Sequence, residues 1–556
     1  MHKGKPAIIS LVQICKAHQI KNVVISPGSR NAPLTVAFFE DEFFNCYAIK
    51  DERSAGFFAL GLAQQNRQPS VLVCTSGSAA LNYGPAIGEA FYQKLPMLVL
   101  TADRPNEWIN QGVGQSMRQQ NLFANFILKS IELPQEPCNE QALWFNDRLV
   151  NEAILTAIGL PSGPVHINIP LKEPLYEKLA EIKHQPKIIK QTKVEISLPV
   201  AEVEALKTEW QACKKVMILT GMFRHSQQFN ALLKQVSQFG QVVILSETNA
   251  NLYDEDYVNC IDRTIASIED ETAFAPDLLI TFGHSVISKR VKKLLQEAQI
   301  KHHWHLDESG QIYDTYKALT KVITCNADDL MQHIIGFETV ESSYKSHWQA
   351  ILKKAGDGHL AYIKNCTFSD FKVYDIVLNS LPPESILHAA NSTSVRYLQL
   401  FNNRNDLTYF ANRGVSGIDG CTSTAVGYSI NSEKPVTLIS GDIAFFYDVN
   451  ALWNDYLPPH FKIIIVNNGG GGIFRIIDGP STTNALDKYF ETKHQTKAKN
   501  VAATYGLVYF SADHEVDLKQ NLVALFETKQ AAILEVFTPS AENDKVLKEY
   551  FTFLKG

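Results

Sequence analysis

Short apolar runs alternate with longer amphipathic segments along the chain. In the first third, the runs NVVI, VLVC and MLVL each end in a turn rich in Gly, Ser, Pro or Asp, and helical patterns such as SAGFFALGLAQQ follow. Unbroken apolar runs of this length are typical of strands that are buried on both faces. Repeated strand–turn–helix units predict a parallel sheet with crossover helices, and such sheets bind ligands at the carboxyl ends of their strands.

The same alternation returns twice later in the chain. The predicted strands are VMILTG, VVILSE, DLLITFG and HHWHLDE in the middle third, then ILHAANS, LTYFANRG, VTLISGD, KIIIVNN and AILEVF in the last. A stretch rich in Lys and Glu at residues 176–199 predicts a linker, and a polar helical crossing is expected at about residues 338–372. The predicted fold class is α/β, with three doubly wound parallel-sheet domains at residues 1–184, 185–355 and 356–556.

Composition and charge narrow the class of protein. A chain of 556 residues exceeds one hydrophobic core, and 45% hydrophobic with 20% charged residues is ordinary for a soluble globular protein. A formal net charge of −6 gives no support to wholesale nucleic-acid binding or to a stable membrane anchor. Nine cysteines without a CxxC pair, and an N-terminus without an apolar signal core, favour a reducing cytoplasmic compartment.

The stretch KIIIVNNGGGGIF sets two asparagines and four glycines directly after a strand. Asp442 lies at the end of the strand VTLISGD, and Asn468 follows the next strand about 26 residues later, with one helical segment, YDVNALWNDYL, predicted between them. Parallel strands end at the same edge of a sheet, so a carboxylate, an amide oxygen and a glycine carbonyl could converge on one hard cation. The glycines would let the backbone approach that metal and a diphosphate. The alternative is that Asp442 only caps a helix and the asparagines form a turn.

Several motifs together resemble the enzymes that depend on thiamin diphosphate. Glu52 before a helix, TSGSAALN, TADRP and GPVHINIP resemble their pyrimidine-binding domain, here residues 1–184. The GD…NN pair resembles their diphosphate-binding domain, here residues 356–556, and a central α/β domain lies between them. SPGSRNAPL, DERSAGFFALGLA, GQSMRQ, NSTSVR, NRGVSGIDG and NNGGGGIF are similar to one branch, the 2-succinyl-5-enolpyruvyl-6-hydroxy-3-cyclohexene-1-carboxylate (SEPHCHC) synthases of menaquinone biosynthesis. Two positions depart from related enzymes: Ile443 replaces the last glycine of GDG, as fits this branch, and Gly114 replaces a polar residue.

The resemblance implies thiamin diphosphate and Mg²⁺ as cofactors, with Mn²⁺ as an alternative metal. It implies that Glu52 hydrogen-bonds the aminopyrimidine ring and promotes loss of the cofactor's C2 proton, a role that a raised pKa would suit. The carbonyl of Ser416 would accept from the exocyclic amine, and Ile418 would bend the cofactor. The implied metal ligands are Asp442, Asn468 and the carbonyl of Gly470. The other implied cofactor-binding residues are Ser29, Asn391, Gly441, Ile443, Ile473 and Phe474.

The resemblance also implies two small-molecule substrates. In this family 2-oxoglutarate loses CO₂, and the remaining succinyl semialdehyde unit adds to isochorismate. Each substrate carries two carboxylates, which suit planar guanidinium groups. Ser392 and Arg396 resemble the clamp for the distal carboxylate of 2-oxoglutarate, and Gln115 would lie near the reacting centre. The remaining cationic residues in matching motifs are Arg30, Arg104, Lys289 and Arg290, which the resemblance assigns to isochorismate, and Arg413.

Other functions stay open at this point. The first is another thiamin-diphosphate-dependent 2-oxo acid decarboxylase or carboligase, such as one similar to acetolactate synthase, although its pyruvate site should be apolar. A non-catalytic relative would be expected to lose Glu52, Asp442 or Asn468, and a nucleotide-binding module would be expected to have the P-loop lysine that is missing here. In the superfamily the cofactor lies between two subunits, so the resemblance implies a homodimer, with a tetramer as the alternative.

Two further signals are not interpreted as functional sites. His303 and His305 alternate on the strand HHWH, but no third metal ligand is evident. Cys74 precedes TSG in a strand and is interpreted as a small buried residue rather than a nucleophile.

Overall fold

The computed structural model describes residues 5–176, 184–192, 196–223, 226–477 and 479–556. Contacts between residues divide the chain into two units. Unit 1 consists of Met1–Lys193, Asn412–Val436 and Ala444–Phe461. Unit 2 consists of Val194–Ala411, Thr437–Ile443 and Lys462–Gly556.

The first sheet lies in unit 1 and has six strands in the order β2-β1-β3-β4-β6-β5, all paired in parallel. Its central strands are fully buried because helices cover both faces. The strands are β1 Asn22–Ile25, β2 Asn45–Ala48, β3 Ser70–Cys74, β4 Met97–Asp103, β5 Lys129–Glu132 and β6 Pro164–Pro170. The helices of this region are α1 Pro6–Ala17, α2 Ala32–Phe39, α3 Glu52–Asn66, α4 Ser78–Leu81, α5 Gly84–Tyr92 and α6 Glu140–Ile158, with 3₁₀ turns at Asn106–Trp108 and Ala124–Phe126.

The second sheet lies in unit 2 and has five strands in the order β11-β10-β9-β7-β8. Alternate residues of β7 belong to two different apolar clusters, Val216 and Ile218 to one, Met217 and Leu219 to the other, so helices cover both faces. The strands are β7 Val216–Thr220, β8 Val242–Ser246, β9 Leu278–Phe282, β10 His302–Leu306 and β11 Lys321–Ile323. The helices are α7 Val200–Gln211, α8 Gln227–Val236, α9 Ile261–Ala266, α10 Lys289–Glu297, α11 Ala327–Ile335 and α12 Tyr344–Asn365, with 3₁₀ turns at Thr248–Ala250 and Glu271–Phe274.

The third sheet has six strands in the order β13-β12-β14-β15-β17-β16. The strands are β12 Ile386–Ala389, β13 Thr408–Ala411, β14 Val436–Gly441, β15 Phe461–Asn467, β16 Val508–Ala512 and β17 Ala532–Phe537. The helices are α13 Asp370–Ser380, α14 Thr393–Leu398, α15 Cys421–Ser429, α16 Asp442–Tyr447, α17 Ile473–Ile476, α18 Lys499–Tyr505, α19 Glu515–Glu527 and α20 Ser540–Lys555. Short 3₁₀ turns at Val449–Leu452 and Pro480–Thr482 and a π-helical turn at Leu486–Phe490 complete this region.

The predicted fold class is confirmed, since each sheet is parallel in its described pairings and belongs to an α/β domain. One local prediction is wrong: the stretch YDVNALWNDYL is not one helix, because α16 ends at Tyr447 and only a 3₁₀ turn follows. The expected linker is partly outside the described residues, and its described parts, 184–192 and 196–199, contain neither helix nor strand. The domain boundaries stay predictions.

Two global expectations can be compared with the structure. In the described part of the chain, no helix combines the length and apolar character needed to cross a membrane. All nine cysteines lie within the described ranges, and none of them forms a disulfide.

Candidate active site

The carboxyl ends of β14 and β15 meet in unit 2. These strands are neighbours in the third sheet, and the buried Asp442 follows the first while Asn468 follows the second. Oδ2 of Asp442 accepts backbone hydrogen bonds from Gly469 at 2.9 Å and Gly470 at 3.0 Å, and Oδ1 accepts from Ile443 at 2.7 Å. Asp442 is therefore more than a helix cap, because its side chain joins the two strand ends that the sequence predicts to converge.

Asn468 presents an unsatisfied oxygen at this edge. Its Oδ1 is buried and has no hydrogen-bond partner among the residues described. Leaving a buried amide oxygen unpaired costs free energy, so this atom calls for a partner beyond the residues described. A carboxylate, an amide oxygen and nearby backbone carbonyls make a hard-oxygen donor set, so the residues fit a Mg²⁺ or Mn²⁺ ion.

Backbone conformation and contacts within the protein also explain why glycines follow Asn468. Gly469 has φ +76°, a left-handed conformation that favours glycine. A Cβ on Gly470 would lie 2.7 Å from the carbonyl oxygen of Glu491, and Gly471 donates to that same oxygen at 2.7 Å. The segment around residue 491 thus accounts for part of the glycine requirement, while the predicted approach of a ligand stays a prediction.

Four other predicted cofactor-binding residues flank this edge. Gly441 and Ile443 adjoin Asp442, and a Cβ on Gly441 would meet open space. Ile473 begins the short helix α17, and the next residue, Phe474, lies with its ring centroid 5.5 Å from that of Phe490. The structure therefore gathers these predicted residues around the ends of β14 and β15.

The predicted carboxylate clamp lies at the end of the adjacent strand. Ala390 continues β12 and donates to Ile439 of β14, and the predicted Asn391 and Ser392 follow it directly. Nη1 of Arg396 donates to the carbonyl of Ser392 at 2.5 Å, so the two predicted clamp residues lie together, with Ser392 at the N-cap of α14 and Arg396 in its last turn.

A second arginine of unit 2, Arg290, interacts with the same partly buried acid as Arg396. The carboxylate of Asp262 accepts from the hydroxyl of Ser288, which caps α10, and interacts electrostatically with both Arg290 and Arg396. The guanidinium of Arg290 also lies 4.2 Å from the ring centroid of Phe551, and the adjacent Lys289 is exposed. Sequence reasoning missed Asp262, which brings into one cluster two arginines that the resemblance assigns to different substrates.

In unit 1, Arg30 and Arg104 are close enough to repel each other. Burial and the charge of Arg104 lower the pKa of Arg30. Arg30 donates to the carbonyl of Leu171 at 3.1 Å and forms an ion pair with the exposed Glu173 at 3.1 Å. The charge of the buried Asp103 also acts on both arginines, and two adjacent guanidinium groups at this place suit the binding of an anion.

The predicted residue Gln115 belongs to the same cluster. Nη2 of Arg104 donates to the carbonyl of Gly114 at 3.0 Å, which holds the following residue, Gln115, beside it. Gln115 is exposed and has φ +54°, and a Cβ on Gly77 would lie 3.2 Å from its Cα. Ser29, next to the buried Arg30, is exposed, so Ser29 and Gln115 form the solvent-facing part of this cluster in unit 1.

Glu52 is the first residue of α3, but it is not the cap of that helix. Asp51 caps α3 through bonds to the backbone of Arg53 and Ser54. Glu52 is half-buried, and burial, together with the charge of Asp51, raises its pKa. Glu52 is therefore available for another role, and its raised pKa suits a group that shares a proton.

The loop that carries Arg413, Ser416 and Ile418 is held by a residue that sequence reasoning missed. The buried Glu89 of α5 accepts hydrogen bonds from the backbone nitrogens of Gly414 at 2.6 Å, Val415 at 2.7 Å and Ser416 at 3.2 Å. Ser416 has φ +68°, an unusual conformation that this carboxylate stabilises. A charged residue within the apolar helix GPAIGEAFY was the available signal.

The structure is consistent with a structural interpretation of His303, His305 and Cys74, which were not interpreted as functional sites. His303 and His305 both contact the hydroxyl of Thr281 at 2.9 Å, and burial lowers the pKa of His303 to about 4. In the part of the chain that is described, the one group of three His, Cys, Asp or Glu side chains close enough to share a metal ion does not include these histidines and lies at residues 513, 514 and 517. Cys74 is fully buried, and burial raises the pKa of its thiol, which therefore stays protonated.

Comparisons with known proteins agree with this organisation. Residues 9–122 match the family model of the thiamine pyrophosphate enzyme N-terminal TPP binding domain, residues 180–388 the middle domain of thiamine pyrophosphate, and residues 391–536 the thiamine pyrophosphate enzyme C-terminal TPP binding domain.

Similarity to individual proteins extends over nearly the whole chain. A protein of Flavobacterium johnsoniae named 2-succinyl-5-enolpyruvyl-6-hydroxy-3-cyclohexene-1-carboxylate synthase is 43% identical over 547 residues, which is 98% of each chain. Proteins of the same name from Flavobacterium psychrophilum and Christiangramia forsetii are 42% and 41% identical, covering 98% and 99% of both chains.

Proposed function

We propose a reaction from one premise: the chain belongs to the 2-succinyl-5-enolpyruvyl-6-hydroxy-3-cyclohexene-1-carboxylate synthase family of thiamin-diphosphate-dependent enzymes. The proposed reaction is the decarboxylation of 2-oxoglutarate followed by addition of the remaining succinyl semialdehyde unit to isochorismate. Its product is the compound in the family name, an intermediate of menaquinone biosynthesis. Mg²⁺ is the proposed metal, with Mn²⁺ as an alternative.

The observation that supports this choice of substrates is the pairing of Arg30 with Arg104. Burial and the neighbouring charge both disfavour the charged form of Arg30, so a dianionic ligand would relieve a cost that the free protein carries. A site for pyruvate as second substrate would need less positive charge. The arginines therefore favour the proposed reaction over the acetolactate synthase-like alternative.

The residues of unit 2 would hold the metal and one substrate carboxylate. Asp442, Asn468 and the carbonyl of Gly470 are the proposed metal ligands, because Asp442 joins the two strand ends and Asn468 has an unsatisfied oxygen. Ser392 and Arg396 would bind the distal carboxylate of 2-oxoglutarate, since they are already in contact. The other residues proposed to contact the cofactor are Ser29, Asn391, Ser416, Ile418, Gly441, Ile443, Ile473 and Phe474.

Glu52 would exchange a proton with the cofactor ring. Thiamin diphosphate supplies the nucleophilic carbon and the electron sink for loss of CO₂ when it is bound. The pKa of Glu52, which burial raises, suits a group that exchanges a proton with the ring. The residues proposed to bind isochorismate are Arg30, Arg104, Lys289 and Arg290, with Arg413 as a further cation and Gln115 near the reacting centre.

A direct assay tests the reaction. The protein is incubated with thiamin diphosphate, Mg²⁺, 2-oxoglutarate and isochorismate, and the adduct is detected by mass spectrometry, with pyruvate replacing 2-oxoglutarate in a parallel reaction. We expect the adduct only when both cofactors and both proposed substrates are present. A preference for pyruvate would contradict the proposed substrate assignment.

We also propose that the active protein is a homodimer, with a tetramer as the alternative. The family places the cofactor between the first domain of one subunit and the last domain of another. Sedimentation velocity over a range of protein concentrations, with and without thiamin diphosphate, tests the assembly. A monomer that retains full activity would contradict it.

A further inference from the structure

The orientation of the Asn468 side chain is determined by a buried acid on another element. Nδ2 of Asn468 donates to Oδ2 of Asp370 at 2.9 Å. An ionised carboxylate only accepts hydrogen bonds, so the amide must turn its NH₂ group toward Asp370. The Oδ1 atom of Asn468 then faces the other way, and this is the buried oxygen that has no partner among the described residues.

Asp370 is itself held firmly. It begins α13 and is 3% exposed. Its Oδ1 accepts from the hydroxyl of Thr538 at 2.6 Å and from Nδ2 of Asn543 at 2.9 Å, and its backbone nitrogen donates to Oδ1 of Asn543 at 2.9 Å. Thr538 follows β17 and Asn543 lies in α20, so these two elements, together with α13 itself, determine the position of one carboxylate.

These contacts differ from those of an ordinary acid in the first turn of a helix. Such a residue interacts with the backbone nitrogens of its own helix. Among the described residues, the hydrogen-bond donors to the Asp370 carboxylate are Asn468, Thr538 and Asn543, which all belong to other elements. The network therefore orients a residue at the end of β15 and does not only stabilise the start of α13.

The charge of Asp370 also acts on the predicted metal edge. The carboxylates of Asp370 and Asp442 are close enough to repel each other. Nε2 of His494 lies 3.3 Å from Oδ2 of Asp442, and a bound divalent cation would further offset the repulsion between the two carboxylates. Asp370 thus contributes both an orientation and a negative charge to the place where Asn468 presents its free oxygen.

We propose that Asp370 is a positioning residue for the divalent cation, orienting Asn468 Oδ1 as a ligand and adding a negative charge outside the ligand set. The proposal rests on the metal site of the proposed function. Residues that orient metal ligands typically change metal affinity by about 10- to 100-fold when they are replaced. Asp370→Asn, which keeps the size but removes the charge and lets the amide of Asn468 turn over, should show an effect in this range.

Mn²⁺ binding tests the proposal without any catalytic step. The metal-free protein, saturated with thiamin diphosphate, is titrated with Mn²⁺, and free Mn²⁺ is measured by electron paramagnetic resonance. We expect the Kd for Mn²⁺ to rise about 10- to 100-fold in Asp370→Asn and by a few-fold in Thr538→Val, which removes one donor to Asp370. Asp375→Asn, a substitution on the same helix at a residue bonded to Asn379, should leave the Kd unchanged.

The possible results separate the two proposals. If the parental protein binds no Mn²⁺, the metal site of the proposed function is wrong. If the parental protein binds Mn²⁺ and Asp370→Asn binds it with a Kd within about two-fold, the positioning role is wrong. If Asp370→Asn does not fold, the Thr538→Val variant decides, and a parental Kd in that variant overturns the inference.

Discussion

Glu89 accepts a 2.7 Å hydrogen bond from the backbone nitrogen of Val415, which lies 326 residues later in the chain. The same carboxylate binds the nitrogens on either side, those of Gly414 and Ser416. A Cβ on Gly414 would lie 2.6 Å from the carbonyl oxygen of Glu89, so the loop can approach only because that residue is glycine. One buried acid of the first domain thus shapes the loop that carries Arg413, Ser416 and Ile418.

We expect Glu89→Gln to weaken binding of thiamin diphosphate by up to about 100-fold. The glutamine NH₂ group would face backbone or Gln93 donors in either orientation, and an unsatisfied buried donor costs about 1–3 kcal/mol. Isothermal titration calorimetry at saturating Mg²⁺ measures the affinity. Glu40→Gln, at an exposed position, is the control and should match the parental protein. Parental affinity in Glu89→Gln would show that the loop keeps its shape without the carboxylate.

The sequence predicts the covered strands well and the edge strands poorly. Strands such as β3 and β15 are buried on both faces and therefore form unbroken apolar runs. The unpredicted strands β2, β5, β11 and β16 are all outermost in their sheets, where partial exposure removes that pattern. The motif GPVHINIP was not predicted as a strand either, although it forms the interior strand β6 with buried His166 and Asn168.

For the candidate site, local motifs predict fewer of the interacting residues than the tertiary structure brings together. The spacing of Asp442 and Asn468 predicts their convergence because neighbouring parallel strands end together. Glu89, Asp262 and Asp370 could not be predicted in the same way. Each of them forms a hydrogen bond or an electrostatic interaction with a residue more than a hundred positions away or with a side chain of another element. No local spacing in the sequence therefore predicts the interaction.

Glu52→Gln should retain thiamin diphosphate but lose most exchange of its C2 proton. The glutamine side chain does not ionise and cannot share a proton as Glu52 does with its raised pKa. General acid–base groups typically contribute about 10²- to 10⁴-fold in rate. Hydrogen–deuterium exchange at C2, followed by NMR after acid quench, measures this step. Exchange at the parental rate would mean that Glu52 is only a carboxylate near a helix end.

Stability should fall in acid partly through His388. This side chain is buried in β12 and stacked on Phe410, and burial lowers its pKa to about 3 from its ordinary value of 6.5. Because the unfolded chain takes up the proton near pH 6.5 and the folded chain does not, the stabilisation is present above pH 6.5 and is lost as the pH falls toward 3. Between pH 7 and pH 5 we expect the parental protein to lose about 2 kcal/mol more free energy of unfolding than His388→Leu.

Urea unfolding of both proteins at the two pH values, followed by circular dichroism, tests the contribution of His388. His347→Leu replaces an exposed histidine and should retain the parental pH dependence. Identical losses in the parental protein and in His388→Leu would show that His388 is not the group responsible.

Two arginine substitutions should separate the two substrates. If Ser392 and Arg396 hold the distal carboxylate of 2-oxoglutarate, Arg396→Ala should raise the KM for that substrate far more than the KM for isochorismate. Removing one partner of a buried charge pair costs roughly 2–5 kcal/mol, or about 30- to several-thousand-fold in apparent affinity. The variant should also discriminate less against 2-oxo acids that lack the distal carboxylate.

Arg30→Ala should have the opposite effect and mainly raise the KM for isochorismate. Arg30 is a sharper probe than Arg290, because Arg290 shares the carboxylate of Asp262 with Arg396 and its loss would disturb the proposed clamp. Glu173→Gln is the matched control, since it removes the exposed partner of Arg30 and leaves the guanidinium in place. Steady-state kinetics with each substrate varied in turn measures the four KM changes. Equal losses for both substrates in both arginine variants would mean that these residues provide a general positive field instead of two separate binding sites.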